Sequence, residues 1–294
     1  MFHGSIVALV TPMQPDGVID IERFRSLVEW HIAQGTDAIC VAGSTGEAST
    51  IDYIERKVLV QQAVEQAKGR VPIIAGTGTP ATQSTIQCTR DAMEAGADAC
   101  LLITPYGNKP TQEGLYQHFK AVAEAVPIPQ ILYNVPARTV CDLKPSTIAH
   151  LAPFSNIIGV KEATGEVSRV QEILQLTEGH SLDLYSGDDE TCLEFMLAGG
   201  RGVISITSNV APKLMQRLCE AALAGAVSEA SAINQLLAPF HSCQSIETNP
   251  IPVKWALQQM GLIPAGIRLP LTPLSDACHF AVREALIKAG IQLL

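Results

Sequence analysis

Eight short apolar runs recur through the first three-quarters of this chain, separated by stretches of helical periodicity. They occupy residues 5–10, 38–42, 72–75, 99–103, 129–133, 157–161, 182–186 and 202–206. Most lack polar alternation, as Ile157-Ile158-Gly159-Val160 illustrates. Runs of this kind are strands buried on both faces, the pattern of a parallel sheet covered by helices. Between the first two runs, Asp20 can cap a helix whose apolar face is Ile21, Phe24, Leu27 and Val28, and Gly35 ends it. The join Gly35-Thr36-Asp37-Ala38 returns as Gly96-Ala97-Asp98-Ala99, 61 residues later, and in altered form as Gly199-Gly200-Arg201-Gly202. That interval fits two β-α units of about 30 residues each.

Eight such units within residues 1–225 predict an α/β fold of the (β/α)8 TIM barrel type, typically about 250 residues long. A doubly wound sheet would carry a GxGxxG turn after its first strand; here that turn reads Thr11-Pro12-Met13-Gln14. Residues 226–294 show no further strand and predict a C-terminal helical domain. In it Ile233, Leu236, Leu237 and Phe240 share one helix face, and no charge falls between Glu229 and Glu247. So apolar a tail must pack on the barrel, on a neighbouring subunit, or on both.

Composition narrows the possible partners. A net charge of −9 without a long Lys/Arg cluster argues against nucleic acid, and an anionic substrate would need local cations to capture it. Charged residues are 17% of the chain, against about 25% in an average domain, so self-association or a doubly buried sheet is expected. The N-terminus lacks a basic leader segment, and no apolar window reaches the roughly 18 residues of a membrane span. The eight cysteines form no CxxC pair and predict buried free thiols in a reducing cytoplasm. The seven histidines form no ligand-spaced cluster, so no metal is expected.

In a barrel the chemistry sits at the C-terminal strand ends and the loops beyond them. The sixth strand ends in Lys161; burial there disfavours an ammonium and makes available the neutral amine that Schiff-base chemistry needs. The alternative is a lysine that reaches solvent or pairs with Glu162. The fifth strand ends in Tyr133, a proton relay or simply a core aromatic. Arg138 follows, a carboxylate clamp or a surface arginine. After the second strand, Gly43-Ser44-Thr45-Gly46-Glu47 offers hydroxyl and backbone donors to an anion, although many turns read this way. Asp188-Asp189 after the seventh strand could bind a metal or an amine; a helix N-cap opening a helix at Glu190 is preferred.

Taken together these segments resemble the dihydrodipicolinate synthase family. The resemblance rests on Gly43-Ser44-Thr45-Gly46-Glu47, on Tyr133-Asn134-Val135-Pro136-Ala137-Arg138-Thr139 with Asp142-Leu143, and on Asn156 through Thr164. It continues in Gly114-Leu115-Tyr116-Gln117-His118-Phe119 and Asn249-Pro250-Ile251-Pro252-Val253-Lys254, so it spans essentially the whole chain. It implies a class I aldolase without metal or other cofactor, usually a homotetramer, that condenses pyruvate with L-aspartate 4-semialdehyde. By the same resemblance Lys161 forms the Schiff base, and Tyr133 relays protons with the Ser44 hydroxyl. Thr45 holds the pyruvate carboxylate, the backbone near Ile204 lines the pocket, and Arg138 holds the semialdehyde. Related sugar-acid lyases share the lysine and tyrosine but not the Arg138-Thr139 pair. A non-catalytic barrel is the reading from a different class.

Three departures from the family pattern stand out. Ser44 replaces a threonine common in the family. Gly107 follows Tyr106 where many members carry a second tyrosine that enters the neighbouring subunit's relay; Tyr106 is thus a candidate interface group, with water expected in the vacated space. Members inhibited by lysine carry histidine, asparagine and glutamate in an interface cleft where this chain has Tyr53, Arg56, Pro80 and Ser84, so lysine inhibition is expected to be weak or absent.

Overall fold

A computed structural model describes residues 2–294. Its strands β1 (Gly4–Ala8), β2 (Ala38–Val41), β3 (Ile73–Gly76), β4 (Ala99–Ile103), β5 (Gln130–Asn134), β6 (Ile157–Glu162), β7 (Asp183–Ser186) and β8 (Gly202–Ser205) pair in sequence order, all parallel. β8 returns to β1 in the register Gly4↔Gly202 through Val7↔Ser205 and closes the barrel. Each expected strand is present, with ends displaced by at most two residues.

Helices α1 (Ile21–Gln34), α2 (Tyr53–Ala67), α3 (Thr82–Glu94), α4 (Gln112–Ala125), α5 (Pro136–Thr139), α6 (Pro145–Leu151), α7 (Ser168–Leu176), α8 (Cys192–Leu197) and α9 (Pro212–Leu223) follow the strands one by one, except that both α5 and α6 lie between β5 and β6. The Asp20 carboxylate accepts the Arg23 N–H and caps α1, which ends at Gly35 as the pattern predicted. The helix expected to open at Glu190 instead begins at Cys192. Asp188 is spent on the preceding turn, where it accepts from the N–H and hydroxyl of Thr191. Asp189 reaches away to the N–H groups of Ile206 and Thr207 beyond β8.

Two apolar layers follow from the pleat, which sends alternate side chains inward and outward. Ile6, Ala8, Cys40, Ile74, Leu101, Ile131, Tyr185 and Ile204 belong to the cluster that fills the barrel lumen. The outward residues form the larger core with the helices. At the N-terminal strand ends the Tyr185 hydroxyl donates to Phe2 O and His3 meets Asp183, so this end is plugged.

Beyond the barrel lie α10 (Val227–Cys243), α11 (Ile251–Gln259) and α12 (Asp276–Lys288). α10 packs on α8, α9 and α12, using Ile233, Leu237 and Phe240 as its buried face while Leu236 stays exposed. No cysteine is in a disulfide; six are buried and Cys243 and Cys278 are half-buried. Burial pushes the Cys40 thiol up to about 11 and that of Cys100 to about 12. No described helix is long and apolar enough to cross a membrane.

Candidate active site

Strand register brings Lys161 of β6 beside Tyr133 of β5 and Tyr185 of β7. All three side chains point inward. Lys161 is only 5% exposed, and its Nζ lies 4.3 Å from the centroid of the Tyr133 ring, within cation–π reach. Gly187 makes room for it: a Cβ there would stand 2.9 Å from Lys161 Cε and 2.6 Å from Ala163 Cβ.

Glu162 follows Lys161 and therefore faces the helices. It does not pair with the lysine. Its carboxylate lies 3.2 Å from Arg169 Nε and accepts from Asn134 Nδ2 and Thr164 N. Burial raises the Glu162 pKa against the opposing pull of Arg169 and Asn134. Asn134 also donates to Asp142 at 2.9 Å and accepts from Leu143 N at 2.8 Å. Burial opposes the ionisation of Asp142, but its hydrogen bonds to Arg169 and Asn134 outweigh that and hold its pKa below the ordinary carboxylate value. This network fixes the segment after β5 to the end of β6 behind the lysine.

The loop after β2 carries Ser44 and Thr45. Thr45 is buried and its Oγ1 accepts from Asn249 Nδ2 at 3.1 Å. The Gly46 carbonyl accepts from Thr11 Oγ1. Glu47 sits at φ +60, a sparsely populated conformation for a side-chain-bearing residue. Its buried carboxylate holds Lys254 of α11 and the Arg268 N–H. Burial pushes the Lys254 pKa down against the attraction of Glu47.

Arg138 lies in the short α5 and is exposed. Its Nη2 donates to the Asn249 carbonyl at 3.0 Å. A cavity of about 230 Å³ opens between Ser44, Tyr106, Arg138, Thr139 and Asn249. A smaller one of about 30 Å³ is lined by Ser44, Arg56, Tyr106 and Tyr133. The structure thus joins Lys161 to Tyr133 directly, and Thr45 to Arg138 through Asn249. Ser44 and Tyr133 share a cavity, but among the described residues no hydrogen bond joins them. The Ile204 side chain packs into the lumen cluster with Tyr133. Among the described residues no group of three or more His, Cys, Asp or Glu is placed to hold a metal.

The sequence pattern of the dihydrodipicolinate synthetase family matches residues 1–289. The chain belongs to that family. It is an enzyme by that membership, and its similarity to individual relatives runs end to end. It is 58% identical over 286 residues to the 4-hydroxy-tetrahydrodipicolinate synthase of Nitrosococcus oceani, covering 97% of this chain and 98% of that one. It is 59% identical over 292 residues to the synthase of Methylococcus capsulatus, covering 99% and 100%. Among solved structures it matches the chloride-inhibited dihydrodipicolinate synthase of Acinetobacter baumannii complexed with pyruvate, with a TM-score of 0.97, 51% identity and coverage of 99% and 100%.

Several structural partners had no local signal. Asn249 contacts Thr45 across 204 positions, and Lys254 meets Glu47 across 207. Both lie within the segment that carried the family resemblance, but neither had been given a role.

Proposed function

We propose that this member of the family condenses pyruvate with L-aspartate 4-semialdehyde to give 4-hydroxy-tetrahydrodipicolinate, in lysine and diaminopimelate biosynthesis. The observation that carries the reading is the buried Lys161 amine against Tyr133. The pyruvate complex of the Acinetobacter baumannii relative supports the first substrate.

The Lys161 amine attacks the pyruvate carbonyl carbon, and the carbonyl oxygen leaves as water after protonation, forming an iminium. The iminium withdraws electrons from the adjacent methyl group, which loses a proton to give an enamine. The enamine carbon attacks the semialdehyde carbonyl carbon, and the new alkoxide takes up a proton. Attack by the substrate's own amine on the iminium carbon then closes the ring and releases Lys161. Tyr133 carries protons through these steps with Ser44. Thr45 holds the pyruvate carboxylate beside the backbone near Ile204, and Arg138 holds the carboxylate of the semialdehyde. The assembly is a homotetramer, with residues 1–225 as the catalytic barrel and 226–294 as the helical domain.

Borohydride reduction in the presence of pyruvate tests the covalent step. A stable adduct maps to Lys161, and Lys161→Met abolishes it. A coupled assay with both substrates then shows turnover, whereas cleavage of a sialic acid in place of that turnover would overturn the assignment.

A further inference from the structure

Among the described residues, Asn249 alone is hydrogen-bonded to both anion-binding candidates. Its side-chain Nδ2 donates to Thr45 Oγ1, and its main-chain carbonyl accepts from Arg138 Nη2. Its Oδ1 is buried with no hydrogen-bond partner, so the amide's one side-chain bond in this structure goes to the Thr45 hydroxyl. A hydroxyl has one proton and two lone pairs. With a lone pair occupied by the Asn249 N–H, the Thr45 proton is left to point at an incoming acceptor.

We infer that Asn249 is a positioning residue that sets the polarity of the Thr45 hydroxyl, making it a donor to the pyruvate carboxylate. The inference rests on the function proposed above and assigns a substrate preference within it. The side chain serves the pyruvate subsite, while the main-chain carbonyl serves Arg138. Side-chain substitutions should therefore affect the two substrates unequally. An aspartate at this position can only accept. It would draw the Thr45 proton to itself and turn a lone pair, together with its own negative charge, toward the ligand.

Steady-state kinetics with each substrate varied in turn tests this, alongside pyruvate trapping by borohydride. Asn249→Ala is expected to raise KM for pyruvate about 3- to 10-fold, the range of one hydrogen bond. Asn249→Asp should raise it by roughly another tenfold despite restoring the volume. In both, KM for the semialdehyde should stay within about twofold, because the Arg138 contact uses the backbone. A merely structural residue would shift both constants together. Equal effects of alanine and aspartate, or equal shifts in both KM values, would overturn the inference. If the aspartate variant does not fold, Asn249→Ser replaces it: serine can donate to Thr45 and should bind pyruvate more tightly than alanine, and equality would again overturn it. Wild-type protein that traps no pyruvate would instead defeat the functional reading itself.

Discussion

Lys254 of α11 and Glu47 of the loop after β2 form an ion pair in which both side chains are buried. The pair ties the C-terminal helices to the turn that presents Ser44 and Thr45. Arg268 strengthens the tie, donating its N–H to Glu47 and its guanidinium to Glu55, Thr50 O and Gly17 O. The tail is therefore part of the wall of the site.

Removing one partner of a buried pair leaves the other charge uncompensated. Lys254→Met or Glu47→Gln should each cost about 3–5 kcal/mol in urea unfolding. The double variant should cost less than the sum, because neither lone charge remains. Strict additivity would mean that the two groups do not act as a pair.

Gly187 leaves the space that Lys161 occupies. In Gly187→Ala the new Cβ would meet Lys161 Cε at 2.9 Å and Ala163 Cβ at 2.6 Å, closer than unstrained packing allows. The expected outcome is a stability cost of about 1–3 kcal/mol and a clear fall in the yield of borohydride-trapped adduct. An unchanged yield would show that the lysine has another way to reach its substrate.

How far these features could be read in advance depended on distance along the chain. Each strand was legible because burial on both faces writes a continuous apolar run such as Ile157-Ile158-Gly159-Val160. Lys161 and Tyr133 were legible because each ends such a run, and strand register then sets them side by side. The role of Asp189 was not, because an aspartate before a helix reads as a cap, whereas the N–H groups that donate to it lie 17 and 18 positions away. Asn249 and Lys254 were illegible for the same reason on a larger scale: only the fold brings them to the β2 loop.

The groups at Tyr53, Arg56, Pro80 and Ser84 bear on regulation. The Tyr53 hydroxyl donates to Asp91. Arg56 turns inward, donating to Gly76 O at 2.5 Å and to Ala48 O at 3.1 Å. A buried guanidinium repels a ligand ammonium, and neither Pro80 nor Ser84 supplies an opposing carboxylate. L-Lysine titrated into the coupled assay should inhibit weakly or not at all; half-inhibition at sub-millimolar lysine would sink this expectation.

Gly107 is exposed at φ +83, and a Cβ there would find nothing within 4 Å. Glycine brings no side chain of its own to this position, so water is expected to take the place of the missing phenol, and proton transfer should not depend on the Tyr106 hydroxyl. Tyr106→Phe is expected to lower kcat by less than about tenfold, below the usual 10²–10⁴-fold effect of a positioned acid or base. A loss of several orders of magnitude, with the oligomer intact by solution mass, would place Tyr106 in the relay.

His31 couples stability to acid. Its ring is fully buried, with Nδ1 3.0 Å from Thr36 Oγ1, and burial lowers its pKa to about 3. The unfolded chain binds that proton near 6.5. Between those values the unfolded state holds more protons than the folded one, so stability rises with pH through the window and is lost as pH falls from about 6.5 toward 3. By pH 5 the loss from this one group is about 2 kcal/mol. His118, lowered by burial to about 4, acts in the same direction. Urea midpoints measured at pH 7.5 and 5.0 should therefore separate more for the wild type than for His31→Gln, whose side chain cannot titrate. Equal separations would mean that His31 is protonated in the folded chain at pH 5.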